Sequence, residues 1–207
     1  MRKIGIIGAG RLGTALGRGL SRAGYDVAII NAHGTESLSL QLSVVLPGVI
    51  AKTVPELTGW ADVVILAVPL PRFTEINPQL LNGKIVIDAM NYWAPVDGRL
   101  PAFDAYRGSS SELVAEHLPG ARVVKTFNSV AYGELIEGSQ SVGSLKRRAI
   151  PLAGDDPMAK RIAVELIDAI GFDAVDLGAL SRGKLFQPDT NLFNQRLSAA
   201  GIMRLVK

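Results

Sequence analysis

A glycine-rich turn near the start of the chain constrains its fold more than any other feature. The residues Gly8-Ala9-Gly10-Arg11-Leu12-Gly13 have the spacing G-x-G-x-x-G. They close the apolar run Lys3–Gly8 and open the segment Arg11–Ala23, whose apolar residues recur on one helical face. In this strand–turn–helix setting the first glycine makes a tight turn, the second lets the backbone approach a pyrophosphate, and the third lets helix and strand pack closely. The turn therefore predicts a dinucleotide site, with the helix N-terminus facing the phosphates.

Short runs rich in β-branched residues alternate with amphipathic segments along the rest of the chain. Most of these runs are continuously apolar, as is typical of strands buried on both faces of a parallel sheet. Helix-start signals separate them: capping-box spacing at Thr53–Glu56 and Ser109–Glu112, and the N-cap pair Asp156-Pro157. We predict an α/β fold with a Rossmann-like, doubly wound, mainly parallel sheet and a short C-terminal helical segment. The predicted strands are Lys3–Gly8, Asp26–Ile30, Asp62–Val68, Lys84–Ala89, Arg122–Phe127, Arg148–Ala153, Phe172–Leu177 and a weaker Val49–Thr53.

The length of the chain, 207 residues, fits one nucleotide-binding domain with a short tail. We assign residues 1–178 to an NAD(P)-binding domain and residues 179–207 to a closing and dimerisation segment, since only 29 residues follow Gly178. A homodimer is expected because the tail carries apolar residues for burial, namely Ile202, Met203, Leu205 and Val206.

The composition excludes several kinds of chemistry. The chain has no cysteine and only two histidines, so thiol chemistry and a metal site are not expected. The net charge of +3 is small and scattered, which gives no reason to expect a nucleic-acid partner. No apolar run approaches the roughly 20 residues that span a bilayer. We therefore expect a cytoplasmic protein without a membrane partner.

The residues after the second strand bear on which dinucleotide is expected. NAD sites usually place Asp or Glu there, about 20 residues beyond the glycine loop, on the ribose hydroxyls. This chain reads Asn31-Ala32-His33-Gly34-Thr35, with no carboxylate to repel a 2′-phosphate. Asn31, His33 and Thr35 are possible hydrogen-bonding partners for that phosphate, and Arg11 could reach over the adenine side. We predict NADP, with NAD as the alternative.

Three later strand exits predict the nicotinamide pocket. In a doubly wound sheet, ligands bind at the carboxyl ends of the strands. Val68 and Pro69, followed by Leu70, supply an apolar wall at the fourth exit. Asn91 and Asn128, at the fifth and sixth exits, offer amide groups to the nicotinamide carboxamide or ribose.

The pocket lacks an evident proton donor. Carbonyl reduction normally needs one, and Lys125, Tyr92 and Tyr132 are the candidates near these exits. We interpret Lys125, inside a strand, as structural, and both tyrosines as packing or rim residues, so no catalytic side chain is assigned. A flavin-like ring fits better as the small-molecule hydride acceptor, because its nitrogen exchanges protons with water.

Several motifs together resemble the NADPH-dependent reductases of the deazaflavin coenzyme F-420, especially their short bacterial relatives. The resemblance implies a Rossmann domain closed by a small helical part, NADP(H) on the glycine loop, and hydride transfer to a deazaflavin stacked on the nicotinamide. Relatives often have Asn-Ser-Arg where this chain has Asn31-Ala32-His33. The matching segments are Gly8–Gly13, Asn31 with Gly34–Ser37, Val64–Pro69, Val86–Tyr92, Ala121–Asn128, Leu152–Asp156 and Ile170–Asp176.

The predicted function is thus hydride transfer between NAD(P)H, by preference NADPH, and coenzyme F-420 or a flavin. The acceptor is expected beneath the segment Leu180–Phe193. Two alternatives stay open: a small-substrate NAD(P)-dependent dehydrogenase or imine reductase, and a non-catalytic NAD(P)-binding sensor. The first usually needs a substantial second domain, for which few residues remain after Gly178.

Overall fold

An eight-stranded sheet is the centre of the computed structural model, which describes residues 2–30, 42 and 44–206 apart from the Val96 side chain. The strand order is β3-β2-β1-β4-β5-β6-β7-β8, and every neighbouring pair is parallel except β6 and β7. The chain order reverses between β1 and β4, so these two strands form the switch point of the sheet. The predicted Rossmann-like α/β fold is confirmed. The strands are β1 (Lys3–Ile7), β2 (Asp26–Ile30), β3 (Ile50–Ala51), β4 (Val63–Leu66), β5 (Ile85–Asp88), β6 (Arg122–Thr126), β7 (Ala149–Gly154) and β8 (Asp173–Asp176).

The central strands are buried on both faces. In β4, Val63 and Ile65 pack into the hydrophobic cluster that includes Leu16 of the first helix. Val64 and Leu66 pack into a second cluster on the opposite face. Successive side chains of a strand point to opposite faces, so a strand between two helical layers needs apolar residues at every position. This is why the runs in the sequence are continuous.

Helices cover the two faces of the sheet. Their predicted capping boxes are present: Glu56 accepts the backbone N–H of Thr53 at 2.9 Å, and Glu112 accepts that of Ser109 at 2.7 Å. Three 3₁₀ segments are Leu70–Glu75, Pro78–Leu81 and Leu180–Phe186. The described α-helices are α1 (Arg11–Arg22), α2 (Val54–Trp60), α3 (Ala94–Asp97), α4 (Pro101–Ala105), α5 (Ser110–His117), α6 (Tyr132–Glu137), α7 (Pro157–Ala169) and α8 (Ala199–Leu205).

The N-cap of α7 offers a test of this local chemistry. Asp156 Oδ1 accepts the backbone N–H of Ala159 at 2.7 Å. Replacing Asp156 by alanine is expected to lower the free energy of unfolding by about 1 kcal/mol, measured by urea denaturation. Asp156→Asn keeps the cap and should cost only a few tenths of that. Equal losses in the two variants would show that the charge, and not the cap, stabilises the helix.

The residues after β8 pack on the β7–β8 edge of the sheet. Phe186, Leu192 and Ile202 share a hydrophobic cluster with Val175 and Leu177. Of the apolar residues expected at a dimer interface, Ile202 is buried within the chain, and Met203 and Leu205 remain about half-exposed. The domain division at residue 178, the closing role and the homodimer stay predictions. Within the described ranges, no helix is long and apolar enough to cross a membrane.

Candidate functional site

The glycine loop joins β1 to α1 and brings the backbone close to the exit of β4. Gly8 has a φ of +122°, and a Cβ there would lie 2.4 Å from the carbonyl oxygen of Ala67. A Cβ on Gly13 would lie 1.8 Å from the carbonyl oxygen of Gly8, so α1 approaches the loop closely only without a side chain there. These contacts agree with the tight turn and the close helix packing expected of the two residues.

Gly10 is not explained by contacts within the protein. Apart from Gly10 itself and its two chain neighbours, no described residue has an atom within 4 Å of the position that its Cβ would take. Its backbone angles, φ −74° and ψ −172°, are open to any residue. The residue is the N-cap of α1, whose first-turn N–H groups have no helical acceptor and attract anions. The open space in front of Gly10 therefore fits a pyrophosphate group.

A cavity of about 610 Å³ opens beside this loop. Its volume lies within the range of roughly 300–1,000 Å³ that small-molecule sites occupy. Gly8, Ala9 and Gly10 line it on one side, Ile30 at the end of β2 on another, and Val68 and Pro69 beyond β4 complete the wall. The cavity is thus at the switch point of the sheet, where the fold places a dinucleotide.

Asn91 and Asn128, predicted from separate strand exits, are in direct contact. Asn91 Nδ2 donates a hydrogen bond to the backbone oxygen of Asn128 at 2.8 Å. Asn128 Nδ2 donates to Asn91 Oδ1 at 3.0 Å and to the backbone oxygen of Phe186 at 2.9 Å. The exits of β5 and β6 and the segment Leu180–Phe186 therefore meet at one point.

One buried hydrogen-bond acceptor in this arrangement has no partner among the described residues. Asn128 is only 4% exposed, and its Oδ1 has no hydrogen-bond partner among the described residues. The preceding residue, Phe127, is fully buried with a φ of +64°. Such a conformation costs about 1–3 kcal/mol in a non-glycine residue and concentrates at functional sites. A ligand N–H, such as that of a carboxamide, would satisfy the Oδ1 atom.

Lys125 is a buried structural cation, as its position inside a strand predicted. Its Nζ donates to Met90 O at 3.3 Å, Ser110 Oγ at 3.1 Å and Ser111 Oγ at 3.0 Å, and lies 3.8 Å from Asp88 Oδ2. Burial lowers the pKa of Lys125, and the Asp88 carboxylate partly offsets this effect. The ammonium group is fully buried and all three of its protons have acceptors, so it is not placed to donate one to a substrate.

Both candidate tyrosine acids are also engaged. Tyr92 Oη donates to Asp104 Oδ1 at 2.6 Å and accepts the Leu100 N–H at 3.0 Å. The hydrogen bond to Asp104 raises the pKa of Tyr92, which makes it a weaker acid. Tyr132 Oη accepts a hydrogen bond from Arg11 Nη1 at 3.1 Å.

Arg11 faces Tyr132 in this structure, and its expected reach over the adenine side stays a prediction. Its guanidinium lies 5.4 Å from the ring centroid of Tyr132. Tyr132 is the first residue of α6, the helix that follows β6. A cation–π contact with the ring and a hydrogen bond to its hydroxyl oxygen hold the guanidinium there.

Several predicted site residues do not line the cavity, and Asn91 and Asn128 are among them. Leu70 is fully buried in the second hydrophobic cluster and does not line it. Leu12 is half-buried and packs against the first cluster. Asn31, Ala32, His33 and Thr35 lie outside the described residues, so their roles stay predictions. In the part of the chain that is described, no three acidic or histidine side chains are placed to hold a metal ion.

The sequence analysis missed both charged residues that line the cavity in the described part of the chain. Arg72 and Glu75 lie in the 3₁₀ segment after β4, and both line the cavity. Their i,i+3 spacing and opposite charge were the available signal. The motif at this exit was followed only to Leu70, two residues short of the pair.

Comparison with known proteins finds a matching family and similar solved structures. Residues 3–92 match the family described as "NADP oxidoreductase coenzyme F420-dependent". A hypothetical protein from Sinorhizobium meliloti, of known structure, is 36% identical, with 95% of each chain covered and a TM-score of 0.81. A candidate F420-dependent NADP reductase from Arthrobacter sp. has the same fold at 22% identity, with 96% of this chain and 100% of that chain covered and a TM-score of 0.74.

A curated relative is much longer than this chain. Metalloreductase STEAP3 of Rattus norvegicus is 28% identical over 186 residues, which are 88% of this chain and 35% of the relative. The chain thus spans about a third of the length of that protein.

Sheet order, glycine loop and cavity define an α/β protein with a Rossmann-like NAD(P)-binding domain. Residues 3–92 of the chain match the coenzyme F-420-dependent NADP oxidoreductases, a family of NADP-binding oxidoreductases.

Proposed function

We propose that the protein transfers a hydride between NADPH and a planar ring acceptor, coenzyme F-420 or a flavin. The observation that carries the proposal is the Asn91–Asn128 pair, which offers a buried acceptor but no acid at the predicted nicotinamide exits. The nicotinamide supplies the hydride chemistry. A ring that exchanges its proton with water needs no protein acid, whereas carbonyl and imine substrates normally do.

The chain's own residues would bind and orient the reactants. The N-terminus of α1 and Gly10 would hold the pyrophosphate. Val68 and Pro69 supply an apolar wall, and Asn128 Oδ1 would accept the carboxamide N–H. The segment Leu180–Phe186, tied to Asn128 through the Phe186 carbonyl, would help exclude water above the site. Catalysis would then rest on positioning, without covalent chemistry by a side chain.

A panel of hydride acceptors tests the proposal. Purified protein is mixed with NADPH or NADH, and oxidation is followed with coenzyme F-420, FMN, FAD and a set of carbonyls and cyclic imines. We expect turnover with at least one deazaflavin or flavin and none with the carbonyls and imines. Turnover of carbonyls or imines alone would support a small-substrate reductase. Tight NADPH binding with no turnover in the whole panel would support a sensor.

Replacing Asn128 by alanine is expected to slow hydride transfer about 10- to 100-fold, as for the loss of a buried hydrogen bond in the reactive geometry. NADPH affinity should change less, since the pyrophosphate contacts remain. Single-turnover rates at saturating NADPH measure the effect on protein shown to be folded by circular dichroism. Asn82→Ala is the control, because exposed Asn82 precedes β5 at the opposite end of that strand. Equal hydride-transfer rates in the two variants would show that Asn128 does not contribute to the site.

A further inference from the structure

The cavity carries one charged pair. Arg72 is the only cationic residue among the described residues that line it, and Glu75 is the only carboxylate. Ile30, the last residue of β2, lines the same cavity, and the ribose hydroxyls of a bound dinucleotide lie beside that strand end. Arg72 thus lines the same cavity as the strand end at which NADP and NAD differ.

The pairing with Glu75 leaves one edge of the guanidinium available. Arg72 Nε lies 3.2 and 3.1 Å from the two Glu75 carboxylate oxygens, and Nη2 lies 2.8 Å from Oε2. Glu75 thus occupies the Nε–Nη2 edge. An arginine has five N–H donors, so three remain, two of them on the Nη1–Nη2 edge, and no described residue accepts a hydrogen bond from Nη1.

We propose that Arg72 is the specificity-determining residue that selects NADP over NAD, by donating from its Nη1–Nη2 edge to the adenosine 2′-phosphate. This edge matches a phosphate in a bidentate geometry. Glu75 holds the guanidinium by its other edge and limits the orientations that its flexible stem can take. The inference rests on the proposed function, since it needs the dinucleotide in the cavity. Arg72 would supply the arginine that the segment after β2, Asn31-Ala32-His33, lacks.

The pair predicts opposite effects from its two members. Arg72→Gln should weaken NADPH binding about 10- to 100-fold, the usual cost of lost charge-assisted hydrogen bonds, and leave NADH binding nearly unchanged. Arg72→Lys keeps the charge but loses the bidentate edge, so NADPH affinity should fall to an intermediate value. Glu75→Gln removes the nearby negative charge and should tighten NADPH binding about threefold.

Fluorescence titrations of the full chain with NADPH and NADH measure these affinities. Arg72 and Glu75 are about half-exposed, so the variants should fold, and thermal unfolding confirms it. Arg161→Gln, an exposed arginine of α7 outside the cavity, is the control and should match the wild type. Parallel losses of NADPH and NADH in Arg72→Gln, as from stacking on adenine, would overturn the inference. So would an unchanged NADPH/NADH ratio.

The titrations also separate this inference from the proposed function. Wild-type protein that binds neither dinucleotide would overturn both. If the wild type binds NADPH and Arg72→Gln has the same NADPH/NADH selectivity as the wild type, only the role of Arg72 is overturned.

Discussion

Replacing Lys125 by methionine is expected to lower the free energy of unfolding by about 3–5 kcal/mol, the usual cost of removing one partner from a buried ion pair. The side chains of Lys125 and Asp88 are both fully buried, so the variant leaves the Asp88 carboxylate without its cationic partner. Methionine has a similar shape, so the loss reports the stranded Asp88 carboxylate more than a cavity. Urea denaturation followed by circular dichroism measures the difference.

Two further variants isolate the charge effect. Lys160→Met removes the same side chain from a partly exposed pair, in which Nζ lies 3.0 Å from Asp176 Oδ2, and should cost below about 1 kcal/mol. In the double variant Asp88→Asn with Lys125→Met neither member of this pair is charged, so part of the stability should return. If Lys125→Met were no worse than Lys160→Met, the buried pair would not contribute as its geometry indicates.

Replacing Gly10 by alanine is expected to weaken NADPH binding about 10- to 100-fold while changing stability by less than about 1 kcal/mol. The new Cβ would meet no described atom, but it would occupy the space in front of α1 where a pyrophosphate approaches. Fluorescence titration and thermal unfolding of the same preparation measure the two effects separately.

Gly13→Ala is the matched variant in the same loop. Its Cβ would lie 1.8 Å from the Gly8 carbonyl oxygen, so α1 or the loop must shift. We expect a stability loss of about 1–3 kcal/mol in addition to weaker binding. If Gly10→Ala bound NADPH as tightly as the wild type, the pyrophosphate would not pass this face of the loop.

Much of the fold could be predicted because its signals are local. A strand such as β4 needs apolar residues on both faces, and this requirement is visible in four consecutive residues, Val63–Leu66. A capping box needs only four residues, as at Thr53–Glu56 and Ser109–Glu112. The glycine spacing is equally local. The contacts that exclude a side chain at Gly8 and Gly13 lie within one strand–turn–helix unit and its neighbouring strand.

The candidate site was predictable only in part. The strand exits indicated Asn91 and Asn128, but the two are 37 residues apart, and only the structure showed that each side-chain amide donates a hydrogen bond to the other residue. Pro69 and Leu70 are neighbours, yet one lines the cavity and the other is fully buried. The turn of the chain after β4 determines which of the two residues faces the cavity. The hydrophobicity of the residues does not predict this.

The sequence by itself determined the class of fold, the position of the glycine loop and the absence of thiol chemistry, because spacing and composition are properties of the chain alone. Only the tertiary structure decided which polar groups are consumed and which face the cavity. Lys125 donates its hydrogen bonds to Met90, just after β5, and to Ser111 on α5, and Arg11 donates to Tyr132. Arg72 keeps one donor edge at the cavity. The physical reason is that a hydrogen bond between distant segments depends on how strands and helices pack, and that packing is set by the whole molecule.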